Sequence, residues 1–393
     1  ILSIINYSND IIHRITKYQK KLLYILIALL CLIAKDIICE YYRIIDTLKD
    51  AATVYYILFL FLFSSRNGYK IFLNIYYILR KFHFLFSISF FIHSIFSPFL
   101  LNFLIIGDDY YGFFSMPGCL VPPLAMLLIV LLLEKEKNNS LMEYITIGIS
   151  CVSIILNQSR GGTLGAIVSF LYYNMIKSKL TFNYTLRIFK SICIVSIPII
   201  LLIPSIQTIQ EKYFNNIIFD DIYKISHKMI YYKFKELVDP EGENYKVGTG
   251  HGRITWWKEI FIENAISTKS ISFGKGFGYN LGQAIDYKKE GTRGAHNALV
   301  NMFGWSGLLG MLLYFSVFSI TYNILVLGKN NIKNKISMGY TSCNISLVYL
   351  IGVLVSSFFD NSLNSPVTAI PLYIFLGSSI SMAKHSILTQ TTY

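Results

Sequence analysis

The sequence is short of charge. Lys, Arg, Asp and Glu make up only 15% of its 393 residues, against 54% hydrophobic ones. The apolar residues fall in repeated blocks of roughly 14 to 22 rather than at amphipathic spacing. That excludes an ordinary soluble domain, which would need many half-polar helices or alternating strands. A cysteine framework is also lacking. Cys31, Cys39, Cys119, Cys151, Cys193 and Cys343 lie in or beside apolar blocks with no CxxC pair, so no disulfide scaffold or zinc site is supported and they read as small core residues. There is no internal repeat, no low-complexity linker and no visible cleavable signal peptide. The chain begins at Ile1 without an initiator Met, so an N-terminal part, such as a first helix, is expected to precede it.

What is present is a bilayer pattern. Backbone amides cannot go unpaired in hydrocarbon, so the spanning elements must be helices. Ten spans are expected, at about 22 to 39, 51 to 64, 82 to 101, 118 to 133, 142 to 156, 163 to 176, 191 to 204, 297 to 327, 337 to 357 and 365 to 382. The first is interrupted by Lys35 and Asp36, which read either as a mutually paired, snorkelling helix end or as an intramembrane functional pair. The eighth is long enough to tilt or to begin with a short surface helix. Tyr and Phe, 29 of each, crowd toward block ends, where such rings suit the interface.

Charge orients these spans. One alternating set of connections carries eighteen Lys and Arg, from Arg14 to Lys384; the short loops of the other set carry only Arg43, Lys49 and Arg160. The positive-inside rule makes the first set cytoplasmic, so the long hydrophilic loop between spans seven and eight faces outward. The chain divides into a bundle of seven spans at 1–204, a large periplasmic loop with short helices at 205–296, and three spans at 297–393. The net charge of +13 comes mostly from cytoplasmic loops and reports orientation, so no nucleic-acid partner is inferred.

Several outward stretches carry candidate chemistry. Asn157-Gln158-Ser159-Arg160-Gly161-Gly162-Thr163 is a tight turn that leaves one guanidinium at the membrane surface, to grip a phosphate or carboxylate or to anchor on lipid headgroups. Gly248-Thr249-Gly250-His251-Gly252-Arg253 precedes an amphipathic helix expected over Ile254 to Ile266. Trp256 and Trp257 at its start either anchor it in the interface or stack on sugar rings. Gly274-Lys275-Gly276-Phe277-Gly278 superficially resembles a phosphate-cradling loop, but no βαβ unit surrounds it, and turn-forming glycine accounts for it better. Arg293-Gly294-Ala295-His296-Asn297 opens span eight. His296, where the loop re-enters the membrane, is a general-base candidate against the alternative of a structural hydrogen-bonder. Gly304, Gly307 and Gly310 would admit a close neighbour. Asp108 and Asp109 in an early outward loop read as solvated acids or as a divalent-cation site. Arg160, Arg253, Arg293 and His296 come from separate stretches yet fall on one surface, which suits a lipid-linked anionic group such as a diphosphate.

Together, Ser159 to Gly162, Gly274 to Gly278 and His296-Asn297, in that order around one long external loop, resemble the O-antigen polymerase and O-antigen ligase superfamily over about Gly118 to Ile380. The resemblance implies an all-helical, GT-C-like membrane glycosyltransferase that needs no metal or other cofactor. Its donor would be an undecaprenyl-diphosphate-linked oligosaccharide, used at the periplasmic face of a bacterial inner membrane. By resemblance, Arg160 and Arg253 bind the donor diphosphate and stabilise its departure, and His296 deprotonates the acceptor hydroxyl. Arg293, Trp256 and Trp257 join the substrate-binding set, and a chain-length regulator is a candidate partner. A polymerase is favoured over a ligase acting on lipid A core. A non-enzymatic transporter or flippase is the alternative from another class, and would show buried charge and broken helices near the midplane. One departure is that many members carry an acidic residue just before the glycine of the span-eight motif, where this chain has Phe303-Gly304.

Overall fold

A computed structural model describes residues 2–40, 42–100, 105–106, 109–110, 121–134, 140–157, 159–176, 188–192, 194–195, 249–284, 294–295, 297–335, 337–359 and 363–389. Regular structure there is helical apart from an antiparallel pairing of Ile105–Ile106 (β1) with Asp109–Tyr110 (β2). Three helices are long and apolar enough to cross a membrane: α1 (Leu2–Cys39), from Asn9 onward, α12 (Ala298–Asn331) and α13 (Met338–Ser357). They coincide with three of the ten expected spans. A fourth is available if α5 (Gly68–Lys81) and α6 (His83–Leu100), bent by 73° where they join, count as one.

The chain forms two compact units. One comprises residues 1–75, 249–350 and 357–393. In it, α1 buries Ile15, Leu22, Leu26, Leu29 and Ile33 along one face, at the three-to-four spacing that puts residues on a single stripe, and packs this seam on α12. The opposite face leaves Leu23, Tyr24 and Ile27 exposed. A helix apolar on both its packed and its exposed sides suits lipid, not water. The short helices α2 (Ile44–Asp50), α3 (Ala52–Tyr55) and α4 (Ile57–Phe63) follow, and α4 packs on α14 (Pro366–Thr389). Gly377 permits this, since a Cβ there would lie 2.5 Å from the Leu60 carbonyl oxygen. Deeper in, the Thr53 hydroxyl lies 2.8 Å from that of Tyr314 and donates to Leu363 O at 3.0 Å, which satisfies polar groups that would be costly in an apolar core.

The other unit comprises residues 76–248 and 351–356. Its helices α6, α7 (Val121–Leu133), α8 (Leu141–Leu156) and α9 (Arg160–Ile176) pack pairwise, with Phe90, Val121, Ala125 and Leu128 in one core cluster. α8 starts with a reciprocal capping box between Ser140 and Glu143. Arg80 reaches the same Glu143 at 3.5 Å. The His83 ring is 2.8 Å from the Thr146 hydroxyl. Gly165 and Gly352 let α9 and α13 meet backbone to backbone, since a Cβ on Gly165 would sit 2.4 Å from Gly352 O.

Two departures from the sequence reading have physical causes. Residues 65–81 were expected to be a charged connection, yet Gly68–Lys81 is helical. Ile71, Phe72, Ile75, Ile78 and Leu79 recur at helical spacing between the charges, and Phe72 is fully buried against Phe375. Span eight opens not with a short surface helix but with a buried one, with Ala298, Val300, Met302, Phe303 and Trp305 all inside, and α12 is broken after it at Gly307, whose φ of 64° and ψ of −165° are not helical. The stretch beyond, to Asn331, is about 36 Å long at 1.5 Å per residue, enough to cross hydrocarbon.

Candidate functional site

The expected cations do not all fall on described positions. Arg293, His296 and Asp108 lie outside the described residues. Arg160 and Arg253 are placed as positions on helices, and Asp109 as half of a strand pair.

Arg160 is the first residue of α9, and the turn before it is fastened by its own side chains. Asn157 Oδ1 accepts the Ser159 amide at 2.8 Å, Ser159 Oγ accepts the Gly162 amide at 3.1 Å, and the Thr163 hydroxyl donates to Ser159 O at 2.9 Å. This is the side-chain capping that satisfies free amides at a helix start. Arg253 sits early in α10 (Thr249–Ala265). Neither helix has an acid in its first turn. A cation near a helix N-terminus opposes the macrodipole by about 0.3 to 1 kcal/mol, whereas an anion arriving there gains from both dipole and guanidinium. Arg160 stands at a helix start and Arg253 one turn into its helix.

α10 covers the helix expected over Ile254 to Ile266 but begins five residues earlier, so that Gly250, Gly252 and Arg253 lie inside it rather than in a preceding turn. Trp256, Ile260 and Asn264, four apart, are buried against the rest of the unit. The tryptophan indoles are hydrogen-bonded inside the protein: Trp256 Nε1 donates to Leu281 O at 2.9 Å and Trp257 Nε1 to Ala295 O at 2.7 Å. Trp256 is only 7% exposed, so its ring is packed; Trp257 is half-buried and keeps part of its surface. The Trp257 bond ties α10, one turn beyond Arg253, to the residue immediately before His296.

The start of α12 is pinned on every side. Asn297 Oδ1 accepts the Leu299 and Val300 amides, while Asn297 Nδ2 donates to Phe358 O at 2.8 Å. Asn301 Oδ1 accepts the Ala295 amide at 2.6 Å.

The glycine stretch after α11 (Thr268–Phe273) is no phosphate cradle. Gly274, Gly276 and Gly278 have φ of 72°, 97° and 103°, backbone that favours glycine, and their amides are spent on the protein. Lys275 N and Gly276 N donate to the Gly304 and Trp305 carbonyls that the break in α12 leaves free, at 2.9 and 2.8 Å. Phe277 N and Gly278 N donate to the carboxylates of Asp36 and Asp50, at 2.8 and 3.1 Å. Trp305 Nε1 donates to Tyr279 O. The Tyr279 hydroxyl donates to Glu263, and burial, with Glu263 beside it, pushes that phenol up to about 12. Gly274 and Gly307 permit the close approach expected of small residues, because a Cβ on either would meet the other segment's backbone at 2.4 Å. Phe303, where many superfamily members carry an acid, is buried against Phe261 with ring centroids 4.6 Å apart, and its carbonyl accepts from Asn264 Nδ2. A carboxylate there would have to displace this packing.

Sequence reasoning missed Asn264, Asn301 and Trp305, and left Asp36 ambiguous. The signal available was an acid inside an apolar run, which calls for a partner.

No curated protein matches the chain. The family model described as O-antigen ligase matches residues 145–315. That stretch holds the Arg160 turn, α10, the glycine loop, His296 and the break in α12, and the match supports a likeness of this membrane protein to the O-antigen polymerase and ligase superfamily.

Proposed function

We propose that the chain is a glycosyltransferase of a bacterial inner membrane, GT-C-like with ten spans, that works at the periplasmic face. It would transfer a glycan from undecaprenyl diphosphate to a sugar hydroxyl. Arg160 and Arg253 would grip the donor diphosphate and stabilise the charge growing on it as the glycosidic bond breaks, without calling on a metal for that charge. His296 would take the proton of the acceptor hydroxyl. Arg293 would add a further cation, and Trp257, which keeps part of its ring exposed, would serve a sugar better than the packed Trp256. The observation that carries most weight is the Trp257 to Ala295 bond, because it couples the helix bearing Arg253 to the segment bearing His296. A transporter fits less well. Its characteristic broken helix is present in α12, but the freed carbonyls there are occupied by the protein's own Lys275 and Gly276 amides rather than left for an ion.

The reading favours repeat-unit polymerisation, with a chain-length regulator as its partner. Ligation to lipid A core is the second reading, favoured by the description of the matched family. A deletion strain separates them. Loss of a polymerase leaves lipid core capped by one repeat; loss of a ligase leaves bare core while lipid-linked polymer accumulates. Unchanged surface glycan in that strain would sink both.

A further inference from the structure

We infer that Asp36 and Asp50 form a latch that holds the glycine loop in the break of α12 and thereby positions the segments carrying Arg253 and His296. The inference rests on the proposed function only for what is being positioned; the latch is read from geometry alone.

Four polar side chains from α1, α2 and their connection grip the loop at Lys275, Phe277 and Gly278. Asp36 Oδ2 accepts the Phe277 amide at 2.8 Å and Asp50 Oδ2 the Gly278 amide at 3.1 Å. From the same side, the Tyr42 hydroxyl donates to Lys275 O at 2.8 Å and the Thr47 hydroxyl to Phe277 O at 3.1 Å. Asp36 is 1% exposed and Asp50 7%, so neither bond competes with water, and charge-assisted bonds in such surroundings are the strong ones. Lys35 Nζ lies 2.7 Å from Asp36 Oδ1 and 5.7 Å over the Phe273 ring, which supplies the countercharge a buried carboxylate needs. Lys269 pairs with Glu40 at 3.4 Å alongside. The paired reading of Lys35 and Asp36 is therefore right, but the pair faces a partner segment rather than only itself.

On the loop's other side sits the broken helix, where the Lys275 and Gly276 amides replace the helical donors that Gly304 and Trp305 lack. The loop is thus clamped between two carboxylates and two orphaned carbonyls. The glycines are required on both counts. A Cβ on Gly276 would come within 3.0 Å of Tyr42, and one on Gly278 within 2.7 Å of the Thr47 hydroxyl. From this buckle the chain runs back through α11 to α10, which bears Arg253 and is tied to α12 through Asn264. Forward it reaches Leu281, which anchors Trp256. Loosening the loop frees α10 to shift against the start of α12, so Asp36 and Asp50 are positioning residues with no contact to substrate.

The test is hydrogen–deuterium exchange on the full chain in nanodiscs, paired with polymer formed per molecule of membrane protein in a complemented deletion strain. In the wild type the amides of 274–280 should be protected although the segment is glycine-rich. Asp36→Ala or Asp50→Ala should raise exchange there and over 298–306 at least about tenfold, leave 338–350 unchanged, and lower polymer per molecule about tenfold. Asp50→Asn, whose amide oxygen can accept the same bond, should stay within about threefold of wild type in both readouts. Wild-type exchange in the alanine variants overturns the latch, and faster exchange with unchanged polymer per molecule overturns its positioning role. A wild-type protein that makes no polymer overturns the proposed function instead, and the exchange comparison still decides the latch.

Discussion

Each of the two compact units coheres internally by its own means. In the unit of residues 76–248 and 351–356, cohesion is helix on helix: apolar clusters, a capping box on α8, and Gly165 facing Gly352. In the other, the decisive contacts run from side chains to loop backbone. Asp36, Asp50, Trp256, Trp257, Asn264, Asn301 and Trp305 each bond a main-chain amide or carbonyl outside regular helix pairing. The first kind of cohesion tolerates small adjustments, since helices can slide by fractions of an ångström. The second fixes irregular backbone in place, which a site built on loops requires. The match to the O-antigen ligase family, residues 145–315, draws on both units.

The largest effect expected from any single change is on the cations. Alanine at Arg160, Arg253 or His296 should lower polymer formation in cells by about 100-fold or more, the scale for removing a transition-state donor or a general base, with the protein still in the membrane by immunoblot. Normal chain-length ladders in the Arg160 and Arg253 variants would remove the diphosphate clamp. Gly307→Val comes next. It forces a β-branched residue to φ near 64° and drives its Cβ into the Ser272 and Phe273 backbone, so about 3 kcal/mol or more of stability should be lost in thermal melts of detergent-solubilised protein. Gly165→Leu probes the other kind of cohesion. Its side chain meets Gly352 O, and a loss of about 1 to 3 kcal/mol is expected as the helices move apart. A smaller melt shift for Gly307→Val than for Gly165→Leu would reverse the comparison between the units. Smallest is Trp257→Phe, which removes only the indole bond to Ala295 O and should lower stability by about 1 kcal/mol. Its polymer yield should fall by more than that loss accounts for, because the bond also ties α10 to Ala295, the residue before His296 in the chain.

Much of the fold could be read from the chain because apolar blocks have so few ways to fold. The runs at 22–39, 297–327 and 337–357 became α1, α12 and α13, and the spacing after Arg253 became α10. α5 was missed because Lys70, Arg80 and Lys81 were counted as loop charges while the apolar residues between them kept helical spacing. The latch was out of reach for another reason. Asp36 and Phe277 are 241 positions apart and Asp50 and Gly278 are 228 apart, and neither an acid in an apolar helix nor a run of glycines announces its partner. Of the candidate site, the sequence supplied Arg160, Arg253 and His296 as residues. The structure adds that Arg160 opens α9 and Arg253 lies one turn into α10, and that Ala295 and Asn297, the chain neighbours of His296, are hydrogen-bonded.

The most direct test of the central claim is transfer by the purified chain in proteoliposomes, supplied with the undecaprenyl-diphosphate-linked repeat unit of its host strain and no other protein. The account predicts glycan transfer that releases undecaprenyl diphosphate, at least about 100-fold slower with Arg253→Ala. Undiminished transfer by that variant, or none by the wild type with either a second repeat unit or lipid A core as acceptor, would contradict it.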